Sequence, residues 1–160
     1  MKLRLLTLAA MFAALCAIGA FVKIPVGIGS AALDTVPALV SGAFLPPVYA
    51  GAASLIGHLS SSLYVGFPLG PLHIIIAVEM FIILFVFTKL HQAGRKVLKW
   101  VFFIFANSVL ATLPFYWIIS PAFFVGALPG ITIATVLNAG IAMIVSPMVE
   151  RVMERVKIHA

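Results

Sequence analysis

Residues 71–99 read PLHIIIAVEMFIILFVFTKLHQAGRKVLK. From Pro71 to Leu90 the run is apolar except for His73, Glu79, Thr88 and Lys89. A helix needs roughly 20 mostly apolar residues to cross the roughly 30 Å core of a bilayer, and this run has that length. Lys89, Arg95, Lys96 and Lys99 close it with positive charge. Loops rich in Lys and Arg stay in the cytoplasm. The stretch therefore reads as a transmembrane helix that enters from outside and ends in a basic cytoplasmic loop.

The remaining sequence repeats the pattern. The chain has 160 residues, 64% of them apolar and 9% charged, with a mean hydropathy of +1.24. Soluble domains are about 45–50% apolar and roughly 25% charged. A water-soluble globule is excluded, and so is a disordered chain, which needs high charge and low hydrophobicity. A single cysteine, Cys16, leaves no intrachain disulfide. Spans are expected at about 3–22, 35–45, 48–65, 71–90, 97–119 and 130–150. The expected fold is an all-α membrane protein, a six-transmembrane-helix bundle forming one domain over 1–160. The second span is short: eleven residues rise about 16 Å as a helix, so it is either tilted or a partial span, and Pro46-Pro47 ends it.

Charge placement agrees with six spans. Lys2 and Arg4, the 89–99 cluster, and Arg151, Arg155 and Lys157 all fall on one side, and only Lys23 falls on the other. Both the N and C termini are then cytoplasmic. The net charge of +6 and pI of about 9.9 are explained by this orientation, so no nucleic-acid partner is implied. The N-terminal run resembles a signal peptide, but Leu15 is too large for the small residue expected before a lipoprotein Cys.

Polar residues within the spans concentrate in the outer half. Lys23 closes the first helix and Asp34 opens the second. His58 lies well up the third, followed by Ser60, Ser61 and Ser62. His73 starts the fourth, and Glu79 lies roughly 12 Å deeper by helical rise. Asn107 is near the middle of the fifth, with Tyr116 and Trp117 at its outer end. Thr135 and Asn138 share a face of the sixth. Ionisable groups in a bilayer are costly and mark functional interiors. The inner halves are expected to hold almost no buried polar group. The pattern describes a pocket open to the outside and closed below, where a channel would be polar throughout. Each residue also has a structural reading. Lys23 and Asp34 can anchor helices at the interface, the asparagines can join helices, and Tyr116 and Trp117 can belong to an aromatic belt.

Ala9, Ala10, Ala13, Ala14 and Ala17 form overlapping small-xxx-small pairs on the first helix, which permit close approach of another helix. That surface suits packing within the bundle or docking to a partner. The third helix, with Ala50, Gly51, Ala53, Ser54 and Gly57, is the better candidate for burial inside the bundle.

Absent motifs narrow the function. No phosphate-binding glycine loop occurs, so the chain does not itself hydrolyse ATP. No HExxH occurs, and His73 and Glu79 stand about 240° apart around a helix, so no metal site is expected. No Gly-Xaa-Ser-Xaa-Gly supports a serine hydrolase. No internal repeat supports an inverted-repeat transporter.

Six spans, cytoplasmic termini, an alanine-rich first helix and an outward pocket together resemble the substrate-binding S-component of an energy-coupling factor (ECF) vitamin transporter. Ala32-Leu33-Asp34-Thr35-Val36-Pro37-Ala38-Leu39 resembles the start of the second helix in that family. Gly57-His58-Leu59-Ser60-Ser61, Gly66-Phe67-Pro68-Leu69, His73 and Ala77-Val78-Glu79-Met80 resemble the branch assigned to alpha-ribazole (CblT), the nucleoside salvaged for the lower ligand of cobalamin. The resemblance covers nearly the whole chain. It implies capture of a vitamin or precursor from outside a prokaryotic plasma membrane. It also implies assembly with an ECF coupling transmembrane subunit and two cytoplasmic ATPases. ATP is used by those partners, and the chain itself carries no cofactor. Ala9, Ala13 and Ala17, with Ala10 and Ala14, would be the docking face, and Lys23 to Leu33 would be a lid. A flat ring would stack on Phe67, Trp117 or Tyr116. Asp34, His58, Glu79, Asn107 and Asn138 would meet ribose hydroxyls. Another vitamin such as riboflavin, or a small membrane enzyme built on His58, His73 and Glu79, are the alternatives.

Overall fold

A computed structural model describes residues 2–26 and 29–158. In chain order the elements are α1 (Lys2–Gly19), β1 (Lys23–Val26), β2 (Gly29–Ala32), α2 (Thr35–Ser41), α3 (Pro47–Val65), α4 (Leu72–Gln92), α5 (Lys96–Phe105), a π-helical turn (Ala106–Leu110), α6 (Pro114–Ile118) and α7 (Pro121–Ile158). Four stretches among the described residues are long and apolar enough to cross a membrane: Lys2–Gly19, Leu72–Gln92, Lys96–Ile118 and Pro121–Val152.

Small residues make α3 the centre of the bundle. Ala50, Gly51, Ala53, Ser54 and Gly57 are all buried. A Cβ on Gly57 would lie 2.5 Å from the Cβ of Cys16, and one on Gly51 would lie 2.9 Å from Phe81. The missing side chains thus let α1 approach one side of α3 and α4 the other. On α1 the inward residues are Ala9, Phe12, Ala13 and Cys16, spaced at the helical three and four. The α3–α4 connection turns on Gly66 at φ 87° and Phe67 at φ 49°. A bulky residue in that left-handed region is strained. Here Phe67 is held by its N–H donating to Ser62 O at 2.8 Å.

Several expectations need correction. Lys23 to Leu33 is not a plain loop: β1 and β2 pair antiparallel, with Lys23 opposite Ala32 and Ile24 opposite Ala31. The molecule is therefore helical with one hairpin, not wholly α. Leu33 N–H donates to Gly19 O and Val22 O at 3.2 and 3.1 Å and pins the hairpin to the end of α1. The second span shrinks to α2, which ends at Ser41, not residue 45. Its seven residues rise about 10 Å. Val36, Ala38, Leu39, Val40 and Ser41 are buried, so α2 is a partial helix inside the bundle. The fifth stretch is interrupted by the π-turn. The last helix begins at Pro121, not residue 130, and runs for 38 residues through Pro129 and Pro147. Internal prolines are tolerated in membrane helices because neighbouring groups satisfy the freed backbone.

The inner half is also less apolar than expected. Ser41, Ser54, Thr88, Lys99 and Ser146 are buried. The hydroxyls of Ser54 and Thr88 find no hydrogen-bond partner among the described residues.

Candidate functional site

Beneath the hairpin the elements enclose a cavity of about 280 Å3. That is close to the lower end of the roughly 300–1,000 Å3 of small-molecule sites. Ala32, Asp34 and Thr35 line it from the hairpin and the start of α2, His58 from α3, and Ile76 and Met80 from α4. Asn107 lines it from the π-turn. Ala111, Thr112 and Phe115 follow on the same side, and Phe123, Ile131, Ala134, Thr135 and Asn138 close it from α7. Most of the wall is apolar. Phe115 and Phe123 stand 6.2 Å apart between ring centroids, tilted by 59°.

The polar groups are fixed one by one. Asp34 sits in the bend before α2, outside the helices. Its Oδ1 accepts from Thr35 Oγ1 at 3.2 Å and its Oδ2 from Ser61 Oγ at 3.3 Å. Burial pushes its carboxyl above the usual carboxylate range, and the two hydroxyls work against that shift.

His58 and His73 are neighbours, with His58 Nε2 and His73 Nδ1 3.2 Å apart. Leu69 N–H donates to His73 Nε2 at 3.4 Å. In a neutral ring the other nitrogen then carries the proton, so His73 is protonated on Nδ1. Ser62 Oγ lies 3.0 Å from His73 Nδ1 and 3.3 Å from His58 Nε2. Whether the bond runs directly or through the hydroxyl, His58 Nε2 is the acceptor. Its own proton is therefore on Nδ1, and that N–H is the polar group His58 has left to offer a ligand. Phe67 presents its ring edge-on to His73 at 5.6 Å and backs the pair.

Asn107 Nδ2 donates to Thr135 Oγ1 at 2.7 Å, and Thr135 Oγ1 donates to Ile131 O at 2.7 Å. Among the described residues the Asn107 carbonyl oxygen has no partner and can accept. The π-turn carries this residue; such turns add one residue within a helix and recur at functional sites.

Asn138 is occupied by the fold. Its Oδ1 accepts Val36 N–H at 3.1 Å, and its Nδ2 donates to Ala32 O at 2.8 Å and to Ala134 O at 2.9 Å. It latches α7 to the hairpin and α2, and forms part of the cavity wall while doing so.

Of the residues singled out from sequence, Asp34, His58, Asn107 and Asn138 line the cavity. His73 and Phe67 stand behind His58. Glu79 is half-buried on α4 outside the lining, and one of its carboxylate oxygens has no hydrogen-bond partner among the described residues. Lys23, Tyr116 and Trp117 are exposed, Trp117 at 71%. The alanines of α1 split: Ala9 and Ala13 pack inward, Ala10 and Ala14 face outward, and Ala17 is half-buried between them. Among the described residues no three His, Cys, Asp or Glu side chains converge on a point that could hold a metal ion.

Phe115, Phe123 and Thr112 were not among the sequence candidates, and Met80 stood there only within a motif. Ala111 and Phe115 stand four and eight residues after Asn107, the spacing of one helix face.

The family model described as ECF transporter, substrate-specific component, matches residues 4–150. No curated protein and no solved structure matches the chain.

Proposed function

Because the chain belongs to the family of ECF transporter substrate-specific components, we propose that the cavity beneath the hairpin is its substrate site and that alpha-ribazole is its substrate. The observation that carries this reading is the composition of the cavity wall. Ile76, Met80, Phe115 and Phe123 supply apolar surface suited to a flat heteroaromatic ring. The Asp34 carboxyl, the His58 N–H and the Asn107 carbonyl supply polar groups suited to sugar hydroxyls, which both donate and accept. Asp34 is the only Asp, Glu, Lys or Arg in the lining, which disfavours a phosphorylated ligand. The small volume favours a bicyclic nucleoside over riboflavin, whose tricyclic ring and sugar chain need more room.

In this reading no bond is made or broken. Selectivity comes from polar groups that a wrong ligand would leave unpaired, each costing about 1–3 kcal/mol. The hairpin covers the site as a lid. Both termini and the basic clusters lie in the cytoplasm of a prokaryotic cell. The outward residues Ala10 and Ala14, with Ala17, face the coupling subunit, and two partner ATPases supply the energy.

Calorimetry of the purified chain against alpha-ribazole, riboflavin and thiamin tests the substrate. Tight binding of alpha-ribazole alone, weakened about tenfold or more in Asp34→Ala by loss of a charge-assisted bond, is the expected result. Tight binding of riboflavin or thiamin instead overturns the substrate while keeping a transport role.

A further inference from the structure

A second cavity, of about 400 Å3, lies at the other end of the bundle, where α4 gives way to α5 and packs near the later part of α7. His91, Lys96, Lys99, Trp100, Ser146 and Glu150 contribute to its lining. Its chemistry differs from that of the first. Lys99 is only 9% exposed. Its Nζ lies over two aromatic rings, 5.4 Å from the Phe87 centroid and 4.9 Å from that of Trp100. One ammonium N–H donates to His91 Nδ1 at 2.7 Å, and His91 is its only hydrogen-bond partner among the described residues.

An ammonium has three donors. Two are left without a hydrogen-bond partner among the described residues. Buried charges are ordinarily paired, because an unpaired one is costly. The aromatic faces of Phe87 and Trp100 supply only part of the compensation. The lining sets two cations, Lys96 and Lys99, against one carboxylate, Glu150, so the spare donors of Lys99 suit a further anion in the cavity. Lys96 is exposed and adds a second cation to the lining. α5 begins at Lys96, so the positive end of its dipole adds to the same field. Glu150 gives the cavity a negative group as well, so the wall is dipolar. Trp100 is a residue type that settles at the headgroup level of a membrane.

We propose that this cavity is a phosphodiester-binding site that takes the headgroup of phosphatidylethanolamine. The phosphate oxygens accept from Lys99 and Lys96. The headgroup ammonium donates to Glu150. The lipid tails leave the protein beside Trp100, into the membrane.

The test uses the full chain in dodecylmaltoside micelles. Native mass spectrometry and thermal melting are followed while dioleoyl-phosphatidylethanolamine, dioleoyl-phosphatidylglycerol or inorganic phosphate is added. The site predicts that phosphatidylethanolamine stays bound and raises the melting temperature. Lys99→Met, which keeps the volume and removes the charge, is expected to weaken that binding about tenfold, the loss of one charge-assisted hydrogen bond. Glu150→Gln is expected to abolish the preference for phosphatidylethanolamine over phosphatidylglycerol. Lys96→Gln changes an exposed residue, so it tests the site even where Lys99→Met does not fold, and it too is expected to weaken binding. Wild-type affinity for phosphatidylethanolamine in Lys96→Gln and in folded Lys99→Met overturns the proposal. Equal stabilisation by inorganic phosphate alone overturns the lipid as occupant.

Discussion

His58 is useful to a ligand only in one protonation pattern, and the pattern is set from a distance. The Leu69 N–H fixes His73, His73 fixes His58, and the result is an N–H on His58 Nδ1. Nitrogen-15 NMR of the histidine side chains is expected to show both rings neutral with the proton on Nδ1. Replacing His73 with Asn, whose amide nitrogen mimics Nδ1–H, should preserve ligand affinity, while His73→Leu should lower it several-fold. Asp34 gives a second expectation at this scale. A sugar hydroxyl donates more strongly to an ionised carboxylate, and burial raises the pH at which Asp34 ionises. Affinity should therefore rise with pH above the usual carboxylate range, and a titration series should lose that slope in Asp34→Asn. Asp34, His58 and Asn107 were legible in the sequence because such side chains are scarce in apolar spans. Glu79 was just as conspicuous, yet sequence depth does not say which way a helix turns, and the structure sets it outside the cavity lining. Phe115 and Phe123 were not legible as lining residues, because aromatic residues near a span's outer end read equally well as interfacial ones.

Among the elements, α3 depends most on what its side chains lack. A Cβ at Gly57 collides with Cys16, and Gly57→Val should separate α1 from α3. Overpacking of this kind costs about 1–3 kcal/mol, read as a lower melting temperature. The Asn138 latch acts between elements. In Asn138→Leu the Val36 N–H and the Ala32 carbonyl lose their partner, at a cost of about 1–3 kcal/mol for each buried group left unpaired. Limited proteolysis should then cut the hairpin faster. Hydropathy located the elements but not their interruptions. The π-turn leaves no trace in composition, because one extra residue in an apolar helix changes the hydrogen bonding and not the hydrophobicity. The hairpin was masked by Pro25 and its glycines, which read as loop. The start of α7 at Pro121 was hidden because Gly126, Pro129 and Gly130 look like breakers, although a membrane helix accommodates them.

The whole molecule has two ends of opposite character. One holds the largely apolar cavity beneath the hairpin. The other holds the buried Lys99 and the basic turn after α4. This polarity was readable from the sequence, since nine of the ten basic residues fall on one side of the expected path. The outward alanines Ala10 and Ala14 are exposed and are not among the residues that line the cavity. Ala14→Trp is therefore expected to leave ligand affinity unchanged and to abolish co-purification with the coupling subunit. A loss of ligand affinity in that variant would place the alanines in the bundle's own packing.

The contact that seals Cys16 against Gly57 reaches further than packing. The chain has one thiol, and it is buried. Water-borne maleimides and spin labels have nothing to react with on the folded surface. The natural sequence is in this sense already a silent background, and a cysteine introduced at any exposed position reports from that position alone. The hairpin's opening, the sidedness of each loop and the approach of a partner helix can be followed by such labels without first rebuilding the core.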